Sequence, residues 1–221
     1  MESRKYNNIV EILTSIFTVK NGEVKVLLLK KQSDPYKGYW IIPSDFLSTT
    51  ETIEERINNT IYDKIGLNDV ETENCGIYSD INRDQSARII GISYMGIAST
   101  DLVEFKKEQR DEYISDWFNI DNIPKMGYDH EYIIMETIDY LKKRLLDSKT
   151  LKKLFPSDFT LPELQRIYEQ ILGYELDRRN FRKKFINLDL IEETGDKISG
   201  GNGRPAKLYR FKDNIDVKKL F

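Results

Sequence analysis

The sequence predicts an α+β protein built from two units, a mixed α/β unit over residues 1–148 and a small helical unit with a β-ribbon over residues 149–221. Two observations carry this prediction. Up to about residue 146, strand-like segments rich in aliphatic residues surround two helix-like segments, as in a sheet covered by helices. Beyond that point, two short helix patterns follow each other closely and precede two strand-like segments.

The first unit begins with a predicted β-hairpin. Residues 9–19 and 23–31 are rich in β-branched and aliphatic side chains, which favour strands. Between them lies Asn21-Gly22, the strongest short hairpin signal, because both central residues of this turn take positive φ. A further short strand is predicted at residues 40–42 and ends at a proline.

The first helix is predicted over residues 53–65, because isoleucines recur there every four residues and therefore lie on one face. Thr52 and Glu55 fit a capping box at its start, and Gly66 fits its C-terminal end.

The rest of the first unit reads as three strands and a long helix. The strands are predicted at residues 75–80, 88–98 and 112–120. The helix is predicted over residues 130–146, where apolar side chains recur every three to four residues, and Asp129 is in position to cap it.

The second unit opens with a strong helix signal. Thr160 fits an N-cap, Pro162 lies in the first turn, Glu163 follows the cap by three residues, and Gly173 ends the pattern. The apolar stripe expected to be buried consists of Leu161, Leu164, Ile167, Tyr168 and Ile171.

A second short helix follows after a brief turn. Asp177 is placed to cap a helix over residues 178–190. Strand-like residues 191–194, a glycine-rich loop over 195–205 and strand-like residues 206–211 come next. Helix, short turn, helix and a two-stranded ribbon form the order of a winged helix-turn-helix.

Composition narrows the function classes. The chain is 32% charged and 39% hydrophobic, and no run of about 18 apolar residues exists, so we expect no membrane partner. Cys75 is the only cysteine, which excludes an internal disulfide and fits a cytoplasmic protein. Residues 151–221 carry a net charge of +4 and residues 1–150 a net charge of −7. This asymmetry favours contact of the second unit with a polyanion, although chance scatter of charge gives the same count.

Residues 45–67 resemble the Nudix box, in which Gly, Glu, Arg-Glu, Glu-Glu and Gly recur at fixed spacing. The matching positions are held without a gap by Glu51, Ile61, Gly66 and Leu67. The other box positions depart from it: the first Gly is Asp45, the Arg-Glu pair is Asn59-Thr60, and the final Glu-Glu pair is Asp63-Lys64. The resemblance implies a Nudix-like α/β/α sandwich with a mixed sheet.

The departures fall on the residues that perform the chemistry in Nudix hydrolases, where the glutamates bind Mg²⁺ or Mn²⁺. Hard cations need several oxygen ligands, mostly carboxylates. Thr60 is a weak ligand, Lys64 places a positive charge where the metal would lie, and Glu51 with Asp63 is too small a set to activate water. We therefore expect no metal, no cofactor and no catalytic residues.

Residues 159–211 resemble the C-terminal domain of the Nudix-related transcriptional regulators, through FTLPELQ, LDRRNFRKK and GRPAKLYRF. The first unit is similar to the same family in GIYSDINRDQSARIIGISYMGIA and YDHEYI. The resemblance implies a bacterial repressor or activator that binds a palindromic operator as a homodimer. It also implies a Nudix domain that senses a metabolite; some members respond to ADP-ribose and control NAD metabolism, and relatives respond to pentose sugars.

The second helix of this unit has the pattern of a recognition helix (reading helix), the helix that contacts DNA bases. Phe181, Phe185 and Leu188 fall together and would pack inward, so the basic residues face outward, as suits a helix in a major groove. Arginine pairs with guanine, asparagine with adenine, and lysine more often with phosphate. The predicted DNA-binding residues are Arg178, Arg179, Asn180, Arg182, Lys183, Arg204 and Lys207.

The effector site is predicted from the box and from the loop between two strands that contains Asp80 and Asp84, where the family places a loop near the sensor pocket. Arg83 and Arg88 in that loop suit a phosphate or sugar hydroxyls, or else a surface ion-pair loop. Trp40 suits ring stacking, or else the core. The predicted effector-binding residues are Trp40, Asp45, Glu51, Arg83 and Arg88. His130, the only histidine, is expected to be structural.

Two other functions compete with a ligand-responsive regulator. The first is a divergent metal-dependent pyrophosphohydrolase that recruits carboxylates such as Asp80 or Glu112 to join Glu51 and Asp63. The second is a protein-binding module that uses the ribbon, which predicts no salt-sensitive affinity for DNA.

Overall fold

The architecture is taken from a computed structural model, which describes residues 8–68, 70–98, 113–145, 148–155, 158–198 and 205–212. The strands are β1 (Ile9–Lys20), β2 (Glu23–Lys31), β3 (Trp40–Ile41), β4 (Ser44–Phe46), β5 (Thr72–Tyr78), β6 (Ile89–Ile97), β7 (Tyr113–Asn119), β8 (Ile191–Ile198) and β9 (Ala206–Phe211). The helices are α1 (Ile53–Ile65), α2 (His130–Arg144), α3 (Ser148–Leu154), α4 (Leu161–Leu172) and α5 (Arg178–Asn187). None of these helices, within the described ranges, is long and apolar enough to cross a membrane.

Strands β1 to β7 form one mixed sheet, as predicted. Its main path runs β3-β2-β1-β6-β5, with β4 paired to β1 and β7 paired to β2. β1 is antiparallel to β2 and β4 but parallel to β6. The predicted turn between β1 and β2 is confirmed, because Asn21 and Gly22 have φ of 57° and 70°.

The two long helices cover opposite faces of this sheet. Neighbouring residues of a strand point to opposite faces, so Ile12 of β1 packs in the cluster that contains α1, whereas Leu13 packs in the cluster that contains α2. From α1 the buried residues are Ile57, Thr60, Ile61 and Ile65, and from α2 they include Ile133, Ile134, Ile138 and Leu141. The predicted α/β/α sandwich is therefore confirmed.

The second unit has the predicted winged helix order. Tyr168 of α4 is fully buried and meets Phe181 and Phe185 of α5 edge-on, with ring centroids 5.4 and 5.3 Å apart. β8 and β9 form the two-stranded ribbon, and Phe159 exchanges two backbone hydrogen bonds of 2.8 Å with Tyr209. These contacts fix α5 and the ribbon on one small core.

The two units share one hydrophobic core and are also joined by a polar clamp. Leu154, Phe155 and the buried stripe of α4 belong to the same cluster as residues of β1, β2 and α2. The Gln170 side chain of α4 accepts from the Val24 backbone N–H at 2.7 Å and donates to Asn119 Oδ1 at 2.8 Å. The clamp therefore ties the reading unit to the end of the first hairpin.

Several local predictions differ from the structure. α2 ends at Arg144 and α5 at Asn187, where the chain turns and Asp189 takes a φ of 57°. β8 continues through Gly195 to Ile198, a stretch predicted as loop. β4 and α3 were not predicted, because three residues and seven residues give too little periodicity to detect.

Gln170 provides a test of the clamp. In Gln170→Ala the fully buried Val24 loses the acceptor of its N–H, which should lower the free energy of unfolding by about 1–3 kcal/mol. Lys143→Ala, at an exposed position of α2, should change it by less than about 0.5 kcal/mol. Urea unfolding followed by circular dichroism measures both, and equal effects would show that the clamp does not hold the units together.

Candidate nucleic-acid interface and ligand cleft

The outward face of α5 is basic because its inward face is aromatic. Asp177 caps the helix by accepting from the Asn180 N–H at 2.8 Å, and Phe181 and Phe185 are buried. This leaves the predicted reading residues exposed to solvent: Arg178, Arg179, Asn180, Arg182 and Lys183. The orientation agrees with the prediction, while their contact with DNA stays a prediction.

A basic cleft opens between the start of α4, α5 and the ribbon. It has a volume of about 440 Å³, and four cationic side chains line it together with Pro162 and Tyr209. The four are Arg178, Arg182, Lys197 and Lys207. The structure thus brings three predicted residues together and adds Lys197, which sequence reasoning missed, whereas Arg204 lies outside the described residues.

A carboxylate that sequence reasoning missed holds Lys207 within this cleft. Lys207 Nζ lies 2.8 Å from both carboxylate oxygens of Glu193, and the Tyr209 hydroxyl donates to Glu193 at 3.3 Å. The hydrogen bond from Lys207 holds the pKa of Glu193 below its usual value, against a small opposing effect of burial. Lys207 must therefore leave Glu193, or share it, in order to bind a phosphate.

A second cleft lies at the box, between β1, β4, α1 and the turn before α2. Its volume is about 370 Å³. Its lining residues are Glu11, Lys31, Ile41, Ser44, Asp45, Phe46, Lys64, Arg83, Asp84, Ile89, Tyr128 and His130. Among the predicted effector residues, Asp45 and Arg83 line this cleft.

The other three predicted effector residues lie outside this cleft. Trp40 packs edge-on against Phe118 with ring centroids 4.5 Å apart, as part of the core periphery. Arg88 donates to the Asp80 carbonyl at 2.9 Å and so closes its own loop. Glu51 forms an ion pair with Arg56 of α1.

Arg83 is the buried centre of the cleft wall. Its guanidinium donates to both carboxylate oxygens of Asp129 at 2.9 and 3.0 Å and to Glu11 at 3.0 Å, with only 4% of the side chain exposed. Burial lowers the pKa of Arg83, but the hydrogen bonds to Asp129 and the charge of Glu11 raise it overall. Asp129 holds the predicted N-cap position of α2, but its carboxylate makes no capping bond and binds Arg83 instead.

His130 is held by the backbone and completes this wall. Its Nδ1 accepts from the Ile42 N–H at 3.0 Å, and its side chain is 1% exposed. Burial lowers the pKa of His130, so the neutral ring carries its proton on Nε2. Nε2 has no hydrogen-bond partner within the described ranges and lies 3.9 Å from Glu11 Oε1. His130 is thus held in the cleft wall by the backbone, as expected for a structural histidine.

The box residues do not fit a divalent metal ion. Arg56 donates to both oxygens of Glu51 at 2.8 and 2.6 Å and lies 3.4 Å from Asp45. Lys64 donates to the Ser44 carbonyl at 2.6 Å and lies 3.5 Å from Asp45. The carboxylates a metal would need are therefore neutralised by side chains, and over the described ranges no group of three or more His, Cys, Asp or Glu is arranged to hold a metal.

Comparison with known proteins finds similarity in both the N-terminal and the C-terminal parts of the chain. Residues 151–211 match the family model described as the NrtR DNA-binding winged helix domain. The ADPR responsive transcriptional repressor NtrR of Acinetobacter baylyi is 28% identical over 204 residues, which cover 89% of this chain and 79% of that protein. The ADP-ribose pyrophosphatase of Methanocaldococcus jannaschii is 28% identical over 140 residues, which cover 63% of this chain and 79% of the enzyme.

Solved structures show the same fold. Shewanella oneidensis NrtR, crystallised with a 27mer DNA, superposes with a TM-score of 0.75 at 24% identity, covering 92% of this chain and 93% of that chain. The NUDIX domain of the same protein, crystallised with ADP ribose, gives a TM-score of 0.55 at 17% identity and covers 61% of this chain and 88% of that chain.

The protonation state of His130 can be tested through the pH dependence of the free energy of unfolding. Because burial lowers its pKa in the folded chain, the unfolded chain takes up the proton first as the pH falls below about 6.5. The free energy of unfolding should therefore decrease between pH 6.5 and 5.5, by up to about 1.4 kcal/mol per pH unit. Urea unfolding at several pH values measures this decrease.

His130→Asn is the matched control for that slope, because the asparagine oxygen retains an acceptor for the Ile42 N–H but does not titrate. The chain has one histidine, so no other imidazole contributes in this range. An unchanged slope in His130→Asn would contradict a neutral, buried His130.

Proposed function

We propose that this chain is a member of the Nudix-related transcriptional regulators and acts as a DNA-binding regulator that senses a small molecule. Its winged helix match, its Nudix-like domain and the order of the two support this proposal. The observation that carries the proposal is the basic face of α5 beside the basic cleft of the ribbon, in a domain that matches the NrtR DNA-binding winged helix domain. The similarity to the Acinetobacter baylyi repressor supports repression as its mode of regulation.

The basic residues are proposed to have different tasks, in keeping with their positions on α5 and in the cleft. Arg179 and Asn180 lie on the exposed N-terminal part of α5, outside the cleft, where a helix in the major groove meets base edges. Arg178, Arg182 and Lys207 line the cleft, where a DNA backbone phosphate finds several cations at once. Sequence is read by the first group, while affinity comes mainly from the second.

The regulator acts as a homodimer on a palindromic operator. One chain presents one reading helix, and two-fold operators need two such helices about 34 Å apart. Light scattering at micromolar protein tests the dimer. A monomer mass with and without DNA would contradict it.

The box cleft is the effector site, and a ligand of the ADP-ribose class is its occupant. The Acinetobacter baylyi repressor is ADPR responsive, and the NUDIX domain of Shewanella oneidensis NrtR was crystallised with ADP ribose. The cleft supplies the required chemistry: the ammonium of Lys64 is a donor, and Glu11 and Asp84 are acceptors for sugar hydroxyls. A pentose sugar would use mainly the acceptors.

Hydrolysis is not part of the proposed function. The rival activity is that of the Methanocaldococcus jannaschii pyrophosphatase. Against it stand the ion pairs of Glu51 and Asp45 with Arg56 and Lys64, which occupy the carboxylates that a catalytic metal requires. Binding without turnover is what a sensor needs.

Truncation of the reading residues tests DNA binding. On a duplex selected from a random library, Arg179→Ala should cost about 1–3 kcal/mol and relax the preference at one base if Arg179 pairs with a guanine. Arg182→Ala should instead weaken binding to all sequences alike, because Arg182 lines the cleft proposed to bind phosphate. Lys143→Ala, an exposed change on α2, should bind as wild type does. Fluorescence anisotropy across salt concentrations measures the affinities. If both arginine variants bind like wild type, α5 is not the reading helix.

Substitution of Glu193 should strengthen DNA binding. Glu193→Gln releases Lys207 and removes a negative charge from the cleft, so affinity for a scrambled duplex should rise and the salt slope should steepen by about one unit. Glu192→Gln is the control, because Glu192 pairs with Arg210 in the ribbon and points to its other face. Glu193→Gln and Glu192→Gln with identical salt slopes would show that Glu193 does not restrain Lys207.

The effector proposal predicts stabilisation without turnover. ADP-ribose should raise the melting temperature of the chain by mass action, and the ligand should be recovered intact after incubation with Mg²⁺ or Mn²⁺. Differential scanning fluorimetry with ADP-ribose, NAD and free pentoses, followed by chromatography, measures both. A rise in melting temperature with pentoses alone would show that the effector is a pentose sugar and not ADP-ribose. Metal-dependent product that Glu51→Gln abolishes would establish an enzyme.

A further inference from the structure

The ammonium group of Lys64 lies beside two oxygen atoms of the box cleft. It extends from the last turn of α1 to β4, donates to the Ser44 carbonyl at 2.6 Å and lies 3.5 Å from Asp45 Oδ2. Only 17% of its side chain is exposed, although lysine is usually a solvated surface residue. A carbonyl and a carboxylate converging on one point are the ligands that a hard cation prefers.

The charges around Lys64 are balanced within the protein. Asp45 Oδ2 is shared by the Lys64 ammonium at 3.5 Å and by the Arg56 guanidinium at 3.4 Å. Arg56 in turn binds both oxygens of Glu51, with 20% and 11% of these two side chains exposed. Two cations therefore neutralise two carboxylates, and a divalent ion would have to displace an ammonium group and share both carboxylates with a guanidinium.

Ser44, whose carbonyl accepts from Lys64, is also held by contacts with β1. The Ser44 hydroxyl donates to Glu11 at 2.7 Å, and Glu11 is fixed by the buried Arg83. Ser44 and Asp45 pair with β1 as part of β4. The sheet therefore fixes the backbone of both residues, and the Phe46 N–H donates to Asp45 Oδ1 at 2.9 Å.

We propose that the Lys64 ammonium is a tethered cation that permanently occupies this site, so that the cleft presents N–H donors to its ligand without any divalent metal. The ligand class that follows is an oxygen-rich group such as a diphosphate, whose oxygen atoms accept from Lys64. The ligand class rests on the proposed sensing function. The cation claim stands on the geometry alone.

Chemical rescue tests the claim with cations as the only probes. Lys64→Ala removes the ammonium but keeps the Ser44 carbonyl and Asp45, so added Mn²⁺ or ethylammonium should enter the site and restore stability. We expect Mn²⁺, at roughly a hundred times its Kd, to raise the melting temperature of Lys64→Ala by about 5–10 °C. The wild-type chain should show no rise, because its site is filled.

Two matched variants make the result specific. Lys31→Ala removes another lysine of the same cleft that contacts a serine hydroxyl, and it should gain no cation response. Lys64→Ala combined with Asp45→Asn should lose the rescue, because it lacks the carboxylate. If Lys64→Ala does not fold, Lys64→Ser, which also leaves the position of the ammonium empty, replaces it in the same titration.

The outcomes separate the tethered cation from a merely structural lysine. Rescue confined to the Lys64 variant and dependent on Asp45 supports the proposal. Equal Mn²⁺ stabilisation of wild type, or no rescue of either Lys64 variant by Mn²⁺ or ethylammonium, would overturn it. None of these measurements uses DNA or ADP-ribose, so the proposed regulator function fails or stands separately.

Discussion

Charge neutralisation inside the box cleft is the constraint on which the Nudix-like domain depends. Arg83 is almost fully buried, and a buried charge is tolerated only when it is paired and hydrogen-bonded. Its fork to Asp129 and Glu11 ties the loop after β5, the start of α2 and β1 into one wall. The second network, through Arg56 and Lys64, fastens the box loop to α1. The cleft is therefore preformed, with its shape set by ion pairs that a ligand does not have to create.

The same sheet that builds the cleft also carries the reading domain. β1 contributes Glu11 to the cleft. Further along the same strand, Phe17 belongs to the core that also contains residues of α4 and α5. At its end the hairpin meets Gln170 through Val24. A ligand that shifts β1 or β2 thus acts on the domain that holds α5 through packed side chains and one polar clamp. Packed side chains and one hydrogen-bonded clamp thus join the cleft to the domain that holds α5.

Local patterns predicted the parts of the fold that local chemistry decides. The Asn21-Gly22 turn, the capping box of α1 and the capping box of α4 are each set by residues within four positions, and all three are present. The sites were predicted less completely, because their contacts join distant residues. The use of Asp129 by Arg83 depends on a partner 46 residues away. Glu193 meets Lys207 only across the ribbon, 14 residues along the chain, and Trp40 packs on Phe118 of β7.

The most direct measurement of the central claim is DNA binding by the full chain as ADP-ribose is added in the presence of EDTA. Fluorescence anisotropy on a duplex selected by the chain gives the affinity at each ligand concentration. A metal-free sensor coupled to a reading domain predicts that ADP-ribose changes the affinity by about 5–150-fold, the usual range for coupled sites, with the same midpoint in EDTA and in Mg²⁺. Binding curves that do not respond to ADP-ribose, or that respond only when Mg²⁺ is present, would contradict this account.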